Sequence, residues 1–195
     1  MLTVYKKLAE TVLEPTIKPL SKVNPNTLTL LGSIPSLLFF VFVLNHWYIA
    51  ALIAFLGNGF DLIDGMVARK YNHVTNFGGF LDSTMDRVAD FFLITAFAFG
   101  GIVRWEIVAP LLLFAYLTSY IRSRGELANR NVSFAVGIVE RTERLALLFV
   151  SLLVYALSPN MRIEGFNTAE LIFLLITLLS LYTVIQRFLY AYKKL

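Results

Sequence analysis

The residues with the clearest chemical potential are the aspartates, which are concentrated in one short part of the chain. All five lie within thirty residues: Asp61, Asp64, Asp82, Asp86 and Asp90. Asp61 and Asp64 are three residues apart, and Asp82 and Asp86 are four residues apart. Each pair would therefore share one face of a helix. A hairpin of two antiparallel helices would bring the two pairs, four carboxylates, together.

Four converging carboxylates repel one another and need a cationic partner. Two divalent ions would balance their charge, and oxygen ligands without cysteine or a histidine cluster favour Mg²⁺, Mn²⁺ or Ca²⁺ over zinc. The sequence therefore predicts a site for two hard divalent ions, with Mg²⁺ as the expected cofactor and Mn²⁺ as a substitute. The alternative is a set of buried salt bridges from the aspartates to Arg69, Arg87 and Arg141. Asp90 receives no role.

Small residues accompany the acidic positions, namely Gly65, Ala68, Gly78 and Gly79. They clear side-chain bulk beside the carboxylates, and bare helix surface next to a metal site suits a ligand that carries phosphates. Each glycine alone could equally serve close helix packing, which is common in membranes.

The composition is that of an integral membrane protein with a single domain. The chain has 195 residues, of which 57% are apolar and 15% charged, and its mean hydropathy is +0.70. Soluble domains usually carry about a quarter charged residues. The absence of cysteine excludes disulfides and thiolate metal sites. The net charge of +4 is not arranged as a basic stripe with interleaved aromatic residues, which argues against a nucleic-acid partner.

Apolar segments long enough to cross a bilayer as helices, about 20 residues each, predict an all-α membrane fold with six transmembrane helices. The segments are roughly 27–44, 48–68, 79–100, 105–122, 136–157 and 168–190. Residues 1–23 mix apolar and basic side chains and predict a short amphipathic helix on the membrane surface, with a frayed terminus as the alternative. Residues 24–195 would form the six-helix bundle.

The basic residues predict the orientation of this bundle. With six spans, one side of the membrane would hold 15 of the 17 lysines and arginines, and the other side only Arg104 and Arg162. By the positive-inside rule, the termini and the aspartate site would lie on the cytoplasmic side of the cell membrane.

Eight residues around the aspartates follow one pattern, D-x2-D-G-x2-A-R-x8-G-x3-D-x3-D. They are Asp61, Asp64, Gly65, Ala68, Arg69, Gly78, Asp82 and Asp86. Eight fixed positions over 26 residues are highly specific, and this pattern resembles the signature of the CDP-alcohol phosphotransferases. The resemblance also covers the six-span architecture and the surface helix.

The resemblance implies a membrane enzyme, surrounded by lipid, that binds a CDP-linked lipid and two divalent ions. It also implies a homodimer. Asp61, Asp64, Asp82 and Asp86 would bind the metals, and Asp86 would also be the catalytic base. The implied nucleotide contacts are Asn26, Thr29, Asp61, Gly65, Ala68, Arg69 and Thr75.

The later arginines point to the second substrate. They lie in "SYIRSRGE" (119–126), "GIVERTERL" (137–145) and "VIQRFLYAY" (184–192), and arginine forks suit bidentate phosphate binding. These stretches resemble the phosphatidylinositol-phosphate and archaetidylinositol-phosphate synthases within the family. That resemblance implies inositol phosphate as the acceptor, held by Arg122, Arg124, Arg144 and Arg187. The alternative is that these arginines only reflect the positive-inside rule and pair with Glu126, Glu140 and Glu143.

Two rival functions stay open at this point. A phosphatidylglycerophosphate synthase would use glycerol 3-phosphate, which also carries a phosphate. Intramembrane carboxylates also mark cation pathways, so a small Mg²⁺ transporter is a rival of another class. The clustering of the acids at one membrane face argues against the transporter.

Overall fold

The computed structural model describes residues 23–60, 66, 70–71 and 74–195. The predicted surface helix, except for its last residue, lies outside the described residues. So do Asp61, Asp64, Gly65, Ala68 and Arg69.

The described part of the chain is almost entirely helical, and helices lie at all six predicted segments. In chain order they are α1 (Pro25–Gly32), α2 (Ile34–Leu44), α3 (Tyr48–Gly57), α4 (Asn76–Phe99), α5 (Trp105–Ala128), α6 (Arg141–Leu157) and α7 (Thr168–Lys194). A short 3₁₀ turn, Asn58–Phe60, follows α3. The first predicted segment holds two helices, which meet at Ser33. Pro35 is responsible, because it has no N–H for the helical ladder.

Two further features of the described chain were not predicted. Helix α6 begins at Arg141 rather than at 136, because Gly137 has a φ of +142° and Glu140 and Glu143 form a capping box at the helix start. A small antiparallel hairpin, β1 (Arg162–Ile163) and β2 (Phe166–Asn167), precedes α7. Positive φ angles at both residues of its turn, 164–165, allow the tight reversal.

Capping side chains fix where the helices begin near the predicted site. Thr75 accepts a hydrogen bond from the Gly78 N–H at 2.9 Å and caps α4. Asn24 caps α1 by accepting from the Asn26 N–H at 2.9 Å. Both helix starts are therefore set by local polar contacts of the kind that such caps normally provide.

The core of the bundle is a connected set of phenylalanines from four helices. The Phe39 ring on α2 lies 5.4 Å from Phe55 on α3 and 6.0 Å from Phe97 on α4, measured between ring centroids. Phe97 in turn lies 4.6 Å from Phe173 on α7. Helix α7 packs along α5 and α6, and α4 packs on α1, α2 and α5. Residues 86–87 in the first half of α4 also contact Tyr116 on α5 and Arg141 at the start of α6.

The outer surface of the bundle is rich in large apolar side chains. Ile49 and Ile53 on α3 and Leu178 on α7 are among the exposed residues. Within the described residues, the stretches Pro25–Leu44 and Thr168–Lys194 are long and apolar enough to cross a membrane. Exposed apolar faces of this extent are unusual on a soluble monomer.

The segment 129–140 is anchored by Phe134, and this contact gives a stability prediction. Phe134 is fully buried between Gly125 on α5 and the Tyr190 ring on α7, 5.6 Å away. A Cβ at Gly125 would lie 2.6 Å from the Phe134 ring. Gly125→Ala should therefore lower the melting temperature of the purified protein, with a cost typical of overpacking, about 1–3 kcal/mol.

Two further variants test that explanation. Leu127→Ala, an exposed change two residues along α5, should have little effect on the melting temperature. Gly125→Ala combined with Phe134→Leu should cost less than the sum of the single changes, because both act on one contact. Strictly additive losses would contradict the assigned clash.

Candidate active site

The described aspartates lie on one face of α4. Asp82, Asp86 and Asp90 follow one another at intervals of four residues. Asp82 and Asp86 are half-buried, whereas Asp90 is only 2% exposed. Carboxylates thus run from the accessible end of the helix into the interior of the bundle.

An alternating chain of charges links these carboxylates to α6. Arg87 donates to Asp86 Oδ2 at 3.1 Å, and Arg141 forms an ion pair with Asp86 Oδ1. Arg141 Nε also donates to Asp90 Oδ1 at 3.2 Å. Arg144 donates from Nη2 to Asp90 Oδ2 at 2.8 Å. The pairing of aspartates with Arg87 and Arg141, considered above as an alternative, is therefore present at Asp86.

A polar cavity of about 300 Å³ opens beside this chain of charges, between α4, α5, α6 and α7. Five arginines lie in its wall: Arg87, Arg122, Arg141, Arg144 and Arg187. Three carboxylates, those of Asp86, Glu126 and Glu140, and several hydroxyl groups complete the lining. The excess of guanidinium groups makes the cavity suited to an anion with several oxygen atoms.

Arg187 joins three parts of the chain at this cavity. Its side chain is 4% exposed. It donates to the backbone oxygens of Val136 and Thr118, both at 2.6 Å, and to Glu140 Oε1 at 3.0 Å. These bonds use three of the five N–H groups of a guanidinium. Arg187 therefore holds the end of α5 and the start of α6 against α7 and still has donors for a ligand.

Arg144 is the most deeply buried of the predicted acceptor residues. It is 1% exposed, and its Nε has no hydrogen-bond partner among the described residues. Buried polar atoms are normally satisfied, so this N–H is a candidate donor to a ligand.

Arg122 and Arg124 differ in their placement. Arg122 lies at the rim of the cavity and donates to Glu126 Oε1 at 3.0 Å. Arg124 is exposed and is absent from the cavity wall. Two residues along a helix correspond to a rotation of about 200°, so both side chains cannot face one pocket. The cavity thus brings together three of the four arginines predicted to bind the acceptor.

The predicted nucleotide contacts that are described lie where α1 meets α4. A Cβ at Gly78 would lie 3.1 Å from Thr75 Oγ1 and 3.3 Å from Asn26 Oδ1, so these two side chains converge on Gly78. Thr29 is 4% exposed and its hydroxyl donates to the Pro25 carbonyl at 3.1 Å. Thr75 is exposed and Asn26 half-buried, so both are accessible to a ligand, whereas Thr29 is buried on the same helix as Asn26.

The donor chemistry of α4 fits the predicted metal. Asp82 and Asp86 present half-buried carboxylate oxygens on one helix face, and such oxygens are the donors that hard divalent ions prefer. Within the described residues there is no group of three or more possible ligands. The other two predicted ligands, Asp61 and Asp64, lie outside the described residues.

Two members of the site, Asp90 and Arg141, received no binding role from the sequence. The spacing of Asp90, four residues after Asp86, was the available signal for its position on the same helix face. Arg141 was considered only as an alternative salt-bridge partner of the aspartates, and nothing in the sequence paired Asp90 with Arg144, because both arginines are more than fifty residues from Asp90 in the chain.

Similarity to known proteins identifies the family. Residues 22–189 match the CDP-alcohol phosphatidyltransferase family. The archaetidylinositol phosphate synthase of Pyrococcus horikoshii is 37% identical over 174 residues, covering 89% of this chain and 86% of the relative. The phosphatidylinositol phosphate synthase of Corynebacterium glutamicum is 33% identical over 204 residues, covering 96% of this chain and 87% of the relative.

The fold of this chain is also similar to that of solved crystal structures. The phosphatidylinositol phosphate synthase of Mycobacterium tuberculosis with CDP-DAG bound superposes with a TM-score of 0.78 at 22% identity, covering 91% of this chain and 92% of the other. Its complex with manganese and citrate gives 0.77, with 91% and 88% covered. The eight-residue pattern, the helical fold and the match over residues 22–189 agree, and the chain belongs to the CDP-alcohol phosphatidyltransferase family.

Proposed function

We propose that this enzyme transfers the lipid phosphate of a CDP-linked lipid, CDP-diacylglycerol or CDP-archaeol, to inositol phosphate and releases CMP. The observation that carries the acceptor assignment is the arginine-lined cavity, which has Asp86 in its wall. The two sequence relatives described above are named as synthases of inositol-phosphate lipids. Family membership identifies an enzyme and removes the reason to consider a Mg²⁺ transporter.

Asp86 is the proposed base. It lies in the wall of the cavity, where its carboxylate would accept the proton of an acceptor hydroxyl. The acceptor oxygen would then form a bond to the phosphorus that carries the lipid, and the bond from that phosphorus to CMP would break. The products are a lipid phosphodiester and CMP, and the proton remains on Asp86 until it passes to solvent.

The other residues bind and orient the two substrates. Arg122, Arg144 and Arg187 would hold the acceptor phosphate in the cavity, and Arg124 remains a predicted contact. Asn26, Thr29 and Thr75 would contact the nucleotide, together with Asp61, Gly65, Ala68 and Arg69. Orientation of two bound reactants of this kind supplies much of the rate enhancement in phosphoryl transfer.

Two divalent ions, Mg²⁺ or Mn²⁺, complete the proposed site. Asp61, Asp64, Asp82 and Asp86 would hold them. When bound, they would neutralise the diphosphate and the charge that develops on the leaving CMP.

We also propose that the chain is a multi-pass membrane protein with six spans and a surface helix at 1–23, acting as a homodimer. The exposed apolar faces of the bundle support a lipid environment. Arg104 precedes the first residue of α5, and Arg122 lies six residues before the last; the two arginines are about 27 Å apart along the helix at 1.5 Å per residue. The end with Arg122 has the greater number of basic residues and is the proposed cytoplasmic side.

CMP release across a panel of acceptors tests the function. Purified enzyme with Mg²⁺ and a CDP-linked lipid should release CMP with 1D-myo-inositol 3-phosphate and much less with glycerol 3-phosphate or free inositol. A preference for glycerol 3-phosphate would instead identify a phosphatidylglycerophosphate synthase, whose acceptor phosphate the same arginines could bind.

A further inference from the structure

Asp90 is the buried carboxylate for which the proposed reaction has no use. It lies one helical turn deeper than Asp86 and is 2% exposed. Its Oδ2 accepts from Arg144 at 2.8 Å and its Oδ1 accepts from Arg141 at 3.2 Å. Each carboxylate oxygen thus contacts a different guanidinium, and both arginines lie in the wall of the acceptor cavity.

A buried carboxylate is costly unless charged partners compensate for its lost hydration. At Asp90 the compensation comes from two planar groups whose orientation then depends on the carboxylate. The bond to Nη2 of Arg144 sets the guanidinium plane and leaves Nε without a partner among the described residues. The bond to Nε of Arg141 leaves Nη1 to contact Asp86.

We propose that Asp90 is a positioning residue of the acceptor site, which fixes the guanidinium plane of Arg144 so that its Nε–H faces the acceptor phosphate and which holds Arg141 beside it in the cavity wall. This inference rests on the proposed function, because it takes the cavity to be the acceptor site. Such a residue does not touch the ligand itself. It orients the side chain that does, as the hydrogen-bond partners of metal-binding side chains orient them in metal sites.

Charge alone predicts the opposite effect, which makes the inference testable by its sign. The cavity wall carries five arginines and three carboxylates. Removing the negative charge of Asp90 would make the region more positive, and by attraction alone an anion would bind more tightly. We expect orientation to prevail, because bidentate phosphate binding depends on the guanidinium plane and water in the open cavity screens one added charge.

Asp90→Asn is the test, since it removes the charge and keeps the shape. The KM for inositol phosphate should rise about 10–100-fold, the range expected when a charge-assisted hydrogen bond is lost. The KM for the CDP-linked lipid should stay within about twofold, because the two hydrogen bonds of Asp90 described above go to arginines of the acceptor cavity. A purely structural role would move both constants or neither.

Glu170→Gln is the matched control. Glu170 is also a buried carboxylate, 5% exposed, and it accepts from Arg104 Nε at 2.7 Å near the start of α7, away from the acceptor cavity. Both variants should lower the melting temperature. Inositol phosphate should raise the melting temperature of Glu170→Gln as it does that of the wild type, but should raise that of Asp90→Asn much less.

Arg144→Lys provides a second route if Asp90→Asn is too unstable to purify. It keeps the charge but loses the planar fork, so it should raise the KM for the acceptor selectively. Where the double variant can be made, adding Asp90→Asn to Arg144→Lys should cost less than the product of the single effects, because the two residues act as a unit.

An unchanged or lowered KM for the acceptor, or an equal rise in both KM values, would overturn the inference. Failure of the proposed function gives a different result, in which the wild type releases CMP with another acceptor. In that case the same comparison of KM values, made with the acceptor that the wild type uses, still tests Asp90.

Discussion

Asp86→Asn should lower the kcat of CMP release by about 10³-fold or more, because it removes the proposed base and a proposed metal ligand together. General-base help alone contributes about 10²–10⁴ in rate. Asparagine keeps the shape of the side chain and can still accept a hydrogen bond from Arg87, which contacts Asp86 Oδ2 at 3.1 Å. The measurement is the initial rate of CMP release with both substrates at saturating concentration.

Glu143→Gln is the control for this variant. Glu143 lies in the first turn of α6, two residues from Arg141, but it is exposed and is not part of the cavity wall. Glutamine can take over its capping bond to the Glu140 N–H, so kcat should stay within about twofold. If Asp86→Asn kept a tenth of the wild-type kcat, the base would have to be another residue.

The apolar segments predicted where the helices of the described chain lie, because an apolar run long enough to cross a membrane is nearly always helical. The third segment, predicted at 79–100, is the helix Asn76–Phe99. The earlier start reflects the Thr75 cap, a local contact that hydropathy does not report. Element positions were therefore predictable, and their exact ends depended on single polar side chains.

The segment before α6 shows where apolar composition is ambiguous. Val136 and Val139 belong to a predicted helix but lie in irregular chain, with Val139 buried and its N–H donating to Thr183 Oγ1 at 3.2 Å. Gly137, with its φ of +142°, adopts a backbone conformation that helices exclude. A buried loop packed on α7 has the same composition as a buried helix, so sequence could not separate them.

The site was predictable where its residues are close in sequence and unpredictable where they meet through the fold. Asp82 and Asp86 share a helix face by spacing alone. The contacts of Arg141 and Arg144 with Asp90 join α6 to α4 and depend on how the helices pack. The family resemblance predicted that Arg122 and Arg124 both bind the acceptor. Helix periodicity separates the two side chains, and only Arg122 lies in the cavity wall.

The contacts between these residues connect the two halves of the reaction. Arg141 forms ion pairs with both Asp86, the proposed base, and Asp90, which holds Arg144. A change in the position of Arg141 on acceptor binding would therefore reach Asp86 directly. The effects of substitutions at these residues should be non-additive for that reason.

Removal of divalent ions should abolish CMP release, with a loss of about 10³-fold or more, since Arg69, the cation assigned to the nucleotide, would offset only part of the charge of the diphosphate. Mg²⁺ or Mn²⁺ should restore the rate after chelation, because the predicted ligands are carboxylate oxygens. Titration of Mn²⁺ into chelator-treated enzyme, followed by electron paramagnetic resonance, should give two bound ions per chain in the presence of the CDP-linked lipid.

The same titration separates a catalytic metal site from an effect of ions on the lipid. Mn²⁺ should raise the melting temperature of the wild type, as any ligand of the folded state does. It should have little effect on the variant that combines Asp82→Asn and Asp86→Asn, which removes the two ligands on α4. The Glu143→Gln variant should respond as the wild type does. Equal stabilisation of all three proteins would show that Mn²⁺ binds without the aspartates of α4. A full rate without divalent ions would place the charge neutralisation on the arginines rather than on bound metal.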